Sequence, residues 1–463
     1  MPDGSAEDFS SRGFTGPAGD GVPRRNGLGE TWTSPMVWDA RPGALEAARA
    51  FLRGSGDADA ARFAEEGDAE LLRWLGVTTP DGQLTPTGIL AFIGRGQPCL
   101  EYVRRTHPGA DSVIRLRWTD RSLLEELAEV LDTINADDAP TSYPPAAHVN
   151  RAKPRRAAME AIVNGVAHRD WSIQEPTLVE HIGQALRVTS PGGFIDGITE
   201  TNVMTHPSRS RNRELTDLFV ALRLANREGI GIDRIIGDVV RRGNSQPQIL
   251  QIEGPAVQVS IVCERPDQAW VAWLRKVDQS EEADDLNSLL LLRHLVDVGW
   301  LDLAHAALRI QDTRVNARRA LSNLVDVTME GENLLVEIPG IPDPGDPVWV
   351  LSSAALDFLA RMDHGFGQPS RTISREGTAR DYLMGRGRIS ATELAAVVRA
   401  TDENVQPVLK RLEREGVMVP MCPDRWGRAS HYVPAPARGA WPLAQPTGGT
   451  PMPSVAHPGF RWM

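Results

Sequence analysis

Apolar residues recur at helical spacing through much of the chain. Met159, Ile162, Val163, Val166 and Ala167 fall at i, i+3, i+4, i+7 and i+8, which predicts a helix with one buried face. Similar stripes predict a helix ending at Leu71, Leu72, Trp74 and Leu75, another beginning at Ile89, Leu90 and Phe92, and a third over Leu123 to Ile134. Leu215, Leu218, Phe219 and Leu222 mark a further helix, and Ile232, Ile235, Ile236, Val239 and Val240 mark the next. Alternation takes over in Val113-Ile-Arg-Leu-Arg-Trp118, which reads as a strand. Two hairpins are predicted, Leu178–Ile182 with Leu186–Val188 about Gly183-Gln184, and Ile249–Ile252 with Val257–Cys263 about Glu253-Gly-Pro255. Helices on one face of a mostly antiparallel sheet make an α/β sandwich, and the fold class is α+β.

Toward the C-terminus the pattern repeats itself. Residues 280–352 predict helices over Leu289 to Val298, Leu301 to Leu308 and Val315 to Leu324, then a hairpin ending at Val348-Trp-Val-Leu351. Residues 378–435 predict Arg380 to Met384, Ala391 to Val398, Thr401 to Glu415, and strands at Met418–Met421 and His431–Val433. Three helices closed by a two-stranded wing is a winged helix-turn-helix, here in two copies. The domain reading is therefore a disordered tail over 1–40, a small α+β region over 41–148, an α/β domain over 149–266, winged helices at 280–352 and 378–435, and a disordered tail over 436–463.

The polar positions add chemistry. Glu160, Asn164 and His168 lie at i, i+4 and i+8, a line of carboxylate, carboxamide and imidazole beside the buried stripe. After it come Ser190-Pro-Gly-Gly193, His206-Pro-Ser-Arg-Ser-Arg-Asn-Arg213, and Arg227-Glu-Gly-Ile-Gly-Ile-Asp-Arg234 leading into a helix. Magnesium keeps several waters and needs few protein ligands, which suits one Asn. Gly229 and Gly231 permit close approach of a phosphate to backbone N–H groups at a helix start. The arginines at 209, 211 and 213 can neutralise phosphate charge. Glu160 can take a proton from an attacking water, with His168 in support. In this order the segments predict a site for ATP and magnesium.

These motifs resemble the GHKL (Bergerat-fold) ATP-binding domain. The resemblance rests on Glu160-x-x-x-Asn164-x-x-x-His168-Arg-Asp170, Pro191-Gly-Gly193, Ser208-Arg-Ser-Arg-Asn212 and Gly229-x-Gly231-Ile-x-Arg-Ile235. It is nearest to the variant in bacterial RecG-like, Schlafen AlbA-containing transcriptional regulators, and the stretch Leu75-Gly-Val through Gly82-Gln-Leu-Thr-Pro-Thr-Gly-Ile-Leu-Ala-Phe92 resembles their linker region. It covers about residues 70–265, and members of that family often end in a winged helix. The resemblance implies Glu160 as the water-activating base and Asn164 as the magnesium ligand, with His168 and Asp170 in the same nucleotide-side motif. It implies Gly192 and Gly193 in the adenine-side loop, Gly229 and Gly231 in the phosphate-side loop, and Ser208, Arg209 and Arg211 in the lid. Two departures stand out. The Asp of the Asp-x-Gly-x-Gly loop, which reads the adenine amino group in the family, is absent from Ser190-Pro-Gly-Gly-Phe194, and no AlbA-type domain is recognisable at the N-terminus. Nor is there a Gly-x4-Gly-Lys-Ser/Thr motif, so helicase activity is not expected.

Charge and composition narrow the partners. The net charge of −11 argues against a protein coated with nucleic acid, though not against a local DNA-binding module. In the first winged unit Arg314, Asn316, Arg318 and Arg319 lie on the third helix, and Arg and Asn are the side chains that read guanine and adenine edges. The second offers Lys410 and Arg411, with Arg425 and Arg428 in its wing, but its third helix opens on Asp402-Glu403. Winged helices also serve dimerisation and protein contact, and that alternative stays open. The three cysteines form no CxxC pair, and neither a signal-peptide core nor an apolar run near ~20 residues is present, which fits the cytoplasm and no membrane partner. The expectation is an ATP-responsive regulator that binds double-stranded DNA, as a monomer or a homodimer. A magnesium-dependent ATPase or phosphotransferase and a nucleotide-free winged-helix scaffold are the alternatives.

Overall fold

A computed structural model describes residues 35–136, 155–195, 197–225, 230–262, 264–277, 285–341, 345–367, 374–421 and 431–436. The chain divides into two compact units, meeting at residues 373 and 374. The architecture is α+β, with sixteen α-helices among the described residues. No described helix is long and apolar enough to cross a membrane.

The first unit opens with α1 (Pro42–Gly54), α2 (Ala58–Phe63), α3 (Asp68–Trp74) and α4 (Pro86–Phe92). Strands β1 (Leu100–Arg105) and β2 (Ser112–Arg117) follow, then α5 (Leu123–Ala136) and α6 (Arg155–Ala167). The hairpin β3 (Thr177–Ile182) and β4 (Ala185–Pro191) leads to α7 (Arg213–Ala221), α8 (Gly231–Arg241) and a second hairpin, β5 (Gln248–Ile252) with β6 (Ala256–Val262). One six-stranded sheet collects all of these strands in the order β2-β1-β3-β4-β6-β5. Only the β1–β3 pair is parallel, Tyr102 lying opposite Val179.

Packing follows the pleat. In β3, Thr177, Val179 and His181 are buried and alternate with half-buried Leu178, Glu180 and Ile182. The buried face meets α6, whose Ala161, Ile162, Val163 and Val166 are wholly enclosed. Gly165 makes the approach possible, because a Cβ there would stand 2.8 Å from Val188 Cγ1. The opposite face carries Glu101, which is braced by Arg115 and Arg117 of β2 at 2.7 and 2.8 Å.

The sheet does not respect the expected boundary at residue 148. β1 and β2 extend it, and one core runs from Ala40 through α1–α6 to Ile261. Residues 35–40, expected in the N-terminal tail, are docked: Leu84 N–H donates to Pro35 O at 2.7 Å and Val37 N–H to Gly82 O at 3.1 Å. The rest of that tail, and the C-terminal tail from residue 437, lie outside the described residues.

Beyond the sheet, α9 (Gln268–Val277) and α10 (Leu286–Val298) precede β7 (Leu301–Asp302), α11 (Leu303–Arg309) and α12 (Arg314–Val325). Short strands β8 (Thr328–Met329), β9 (Glu332–Asn333), β10 (Leu335–Glu337) and β11 (Val348–Leu351) follow, then α13 (Ser353–Gly365). β10, β11 and β7 form a three-stranded antiparallel sheet, one strand more than the predicted wing. A second core lies beneath these helices and takes in Ile236 and Val240 of α8, so α8 serves both cores.

The second unit has α14 (Arg375–Arg386), β12 (Ile389–Ser390), α15 (Ala391–Val397), α16 (Asp402–Arg414), β13 (Met418–Pro420) and β14 (His431–Pro434). Its strands pair in the order β12-β14-β13. A capping box, Ser390 with Glu393, starts α15. α16 runs straight through Pro407.

Candidate functional site

A cavity of about 200 Å³ opens between α6, the start of α8, the ends of β4–β6 and the segment 194–210. Its floor is apolar, formed by Val188, Ile249, Val257 and Val259 from the sheet. Glu160, Asn164 and His168 line one wall, as the i, i+4, i+8 spacing predicts. Gly192, Gly193, Ser208, Arg209 and Gly231 line it as well. Residues from four stretches of sequence thus meet at one place.

Glu160 is 3% exposed, and Arg234 Nη1 stands 3.5 Å from its Oε1. Burial raises its pKa above the ordinary carboxylate value, and Arg234 opposes the rise. Burial lowers the pKa of His168, and the nearby Arg211 adds to the effect. Gly231 presses its bare Cα on this wall: a Cβ would lie 3.0 Å from Asn164 Nδ2 and 3.3 Å from Glu160 Oε2. The N-cap residue of α8, Ile230, has no side-chain acceptor to offer the helix's first N–H groups. Asp233, in that first turn, also faces the cavity, and burial raises its pKa.

Two predicted residues act differently. Asp170 and Arg211 do not line the cavity; they brace it from behind. Arg211 Nη1 lies 3.3 Å from Asp170 Oδ2, and its Nη2 donates to Gly193 O at 2.6 Å. Asp170 Oδ1 accepts from the Ser172 N–H and hydroxyl at 2.9 and 2.6 Å, and these bonds hold its pKa below the usual carboxylate range. Gly192 passes between the pair at φ 101°, and a Cβ there would stand 2.8 Å from Asp170 Cβ. Arg211, one of the three arginines read in the sequence as neutralising phosphate, is thus engaged in clamping the Pro-Gly-Gly loop. Gly229 lies outside the described residues.

Several contributors have no role assigned to them from the sequence. Ile195, Ile198, Val203 and Met204 give the cavity an apolar side from an irregular stretch, where no period marks them. Asn212 Nδ2 donates to Ala167 O and Arg169 O at 2.8 and 2.9 Å, closing the end of α6. Ser190, at the start of the Pro-Gly-Gly loop, donates to Gly165 O at 2.6 Å. Arg169 is wholly buried and donates to Cys99 O, Ile173 O and Glu175 O.

Magnesium fits the donor set in one respect. Asn164 offers a neutral oxygen-bearing side chain beside the Glu160 carboxylate, against a glycine that leaves room. Among the described residues no group of three His, Cys, Asp or Glu side chains is placed to hold a metal. A magnesium ion here would therefore rest on Asn164, with waters and ligand phosphates completing its shell.

Four strands of the sheet and part of the cavity lie in a segment that matches a family model. Residues 177–261 match the family described as "Putative ATP-dependent DNA helicase recG C-terminal". The match supports an ATPase-like domain of the RecG/AlbA type. It begins at β3 and so excludes α6 and its polar line. The solved structure of the DIP2311 protein from Corynebacterium diphtheriae is also similar, at 26% identity and a TM-score of 0.68, over 87% of this chain and 69% of that chain. No curated protein matches the chain.

The predicted DNA-contact residues occupy an exposed face of α12. Arg314, Asn316, Arg318 and Arg319 are exposed there, and Val315 is 72% exposed. Acidic neighbours already engage two of them: Arg314 pairs with Asp346, and Asn316 Nδ2 donates to both Asp312 carboxylate oxygens at 2.9 and 3.0 Å. In the second unit Lys410 is exposed, and Arg411 pairs with Glu376 at 3.1 Å. Arg425 and Arg428 lie outside the described residues.

Proposed function

We propose that this protein binds ATP with magnesium in the cavity between α6 and α8, and that it is a DNA-binding transcriptional regulator carrying two winged helices. The observation that carries the nucleotide reading is the meeting of Glu160, Asn164, His168, Gly192, Gly193, Arg209 and Gly231 around one apolar-floored cavity. A purine would lie against Val188, Val257 and Val259, with its phosphates toward Asn164, Arg209 and the uncapped start of α8. Bound magnesium would neutralise phosphate charge. Glu160, enclosed and raised in pKa, suits the acceptance of a proton from water, which favours slow hydrolysis as a second reading. Ser190 donates its hydroxyl proton to a helix carbonyl and so presents no carboxylate to an adenine amino group; weak discrimination among purines is the consequence.

The DNA reading draws support from the exposed arginines of α12 and from the repeated arrangement of three helices beside a three-stranded sheet in residues 286–351 and 375–434. The nucleotide reading is tested by calorimetry with ATP and magnesium on the wild type and on Asn164→Ala. Binding by the wild type that weakens at least about tenfold in the variant, some 1.4 kcal/mol, is the expected result. No heat of binding from the wild type would overturn the site.

A further inference from the structure

The cavity and the exposed face of α12 are joined by a short chain of hydrogen bonds with one side chain at its centre. Residues 198–206 contribute Ile198, Val203, Met204 and His206 to the cavity wall. On one side this stretch is fixed to the edge strand, since Gln251 N–H donates to Glu200 Oε1 at 2.7 Å. On the other it is fixed to the turn between α11 and α12. There Gln311 Oε1 accepts from Met204 N–H at 3.1 Å, Gln311 Nε2 donates to Glu200 O at 2.9 Å, and Gln311 O accepts from the Thr205 hydroxyl at 2.7 Å. Met204 touches both ends of the system, lining the cavity and packing on the second core beneath α11 and α12.

From Gln311 the bonds continue into the helix. Asp312 Oδ1 accepts from Thr313 N–H at 2.6 Å, Thr313 caps α12 by accepting from Asn316 N–H, and the Asp312 carboxylate takes both bonds from Asn316 Nδ2. Gln311 itself has φ 52°, in the left-handed region that disfavours a residue with a Cβ. Glycine would fill that conformation freely. The side chain present instead forfeits that ease and forms two bonds to the cavity segment, bonds that glycine lacks.

We propose that Gln311 is a positioning residue that couples occupancy of the cavity to the conformation of the α11–α12 turn, and so to the presentation of Arg314, Asn316 and Arg318. This rests on the nucleotide reading of the cavity. A ligand packed against Val203 and Met204 fixes the segment whose Met204 N–H and Glu200 carbonyl hold the Gln311 amide. Both bonds need that segment within hydrogen-bond range, so a shift of about 1 Å releases them together. The turn thereby has a held and a released arrangement, and the ligand favours the held one. By linkage, whatever binds the α12 face changes nucleotide affinity by the same factor.

The test is hydrogen exchange of the full chain, read on peptides covering 309–318, with and without ATP and magnesium, and with calorimetry on the same samples. In the wild type ATP slows exchange there about fivefold or more. In Gln311→Gly, which keeps the left-handed turn but removes the amide, ATP still binds while the exchange of 309–318 no longer responds to it. Thr205→Val removes the third bond, with a long 3.5 Å contact to Asn202 O, while sparing both amide bonds of Gln311, and gives an intermediate response; it also serves if the glycine variant fails to fold. A purely structural role for Gln311 would change exchange equally with and without ATP, and that outcome overturns the proposal. So does a wild type that binds ATP with 309–318 unresponsive, or a glycine variant that keeps the full response. A wild type that binds no ATP sinks the nucleotide reading itself, and the calorimetry distinguishes that case from the others.

Discussion

Asn212 closes the helix that carries the polar line of the site. Its single amide nitrogen serves the carbonyls of Ala167, the last residue of α6, and of Arg169 just beyond it. Asn212→Ala should therefore lower stability by about 1–2 kcal/mol, seen as a lower urea midpoint with an unchanged slope. At this scale the sequence was informative where geometry is local. Glu160, Asn164 and His168 share a wall because helical spacing dictates it. Asp170 and Arg211 were legible as charges but not as a pair, since they lie 41 residues apart and meet only across the Gly192 loop. Ser190 shows the same limit: its hydroxyl is committed by a strand-to-helix contact that no local pattern records.

Elements were readable when their burial was one-sided. The stripes of α5, α7 and α8 and the alternation of β2 were recovered for that reason. β1 escaped because Leu100, Glu101, Tyr102 and Val103 are all buried, Glu101 beneath two arginines, so no alternation survives. α9 and α13 escaped by lying between the predicted domains, in stretches to which no element was assigned. Both are core helices, and Trp273 of α9 bonds to Ala355 O of α13 at 2.9 Å. α16 holds its own lesson. Pro407 is exposed in its sixth position, removes the bond to the Glu403 carbonyl and crowds that carbonyl, yet the apolar stripe of Val405, Leu409 and Leu412 keeps the helix intact. Pro407→Ala should strengthen this unit by about 1–3 kcal/mol, measurable as slower native-state hydrogen exchange across residues 402–414.

For the molecule as a whole, the seam between the N-terminal helices and the sheet is held by a buried carboxylate. Glu126 Oε2 of α5 accepts from Cys99 N–H at 2.9 Å and Leu100 N–H at 2.7 Å, and its Oε1 has no hydrogen-bond partner among the described residues. Burial pushes its pKa up to about 8, against the pull of those two N–H groups and of Arg95 and Arg169. The folded protein thus keeps a proton that the unfolded chain, titrating near ~4, gives up. Stability contributed by this group is present below the unfolded value and is lost as pH rises toward about 8. Glu126→Gln keeps an acceptor for both N–H groups and cannot ionise. Urea midpoints at pH 6, 7 and 8 should fall for the wild type and stay level for the variant, which gains about 1 kcal/mol or more at pH 8.

The shared sheet also bears on where the chain can be cut. The stretch that matches the family starts at β3, two strands in from the β2 edge of the sheet, and leaves behind β1, to which β3 is bonded along its whole length, and α6, on which its apolar face rests. A gene fragment encoding 177–261 alone would yield a hairpin pair with an open edge and a bare greasy side. Any piece of this protein expected to fold as the matched domain therefore has to begin at or before β1, so that the strand and the helix preceding the matched segment come with it.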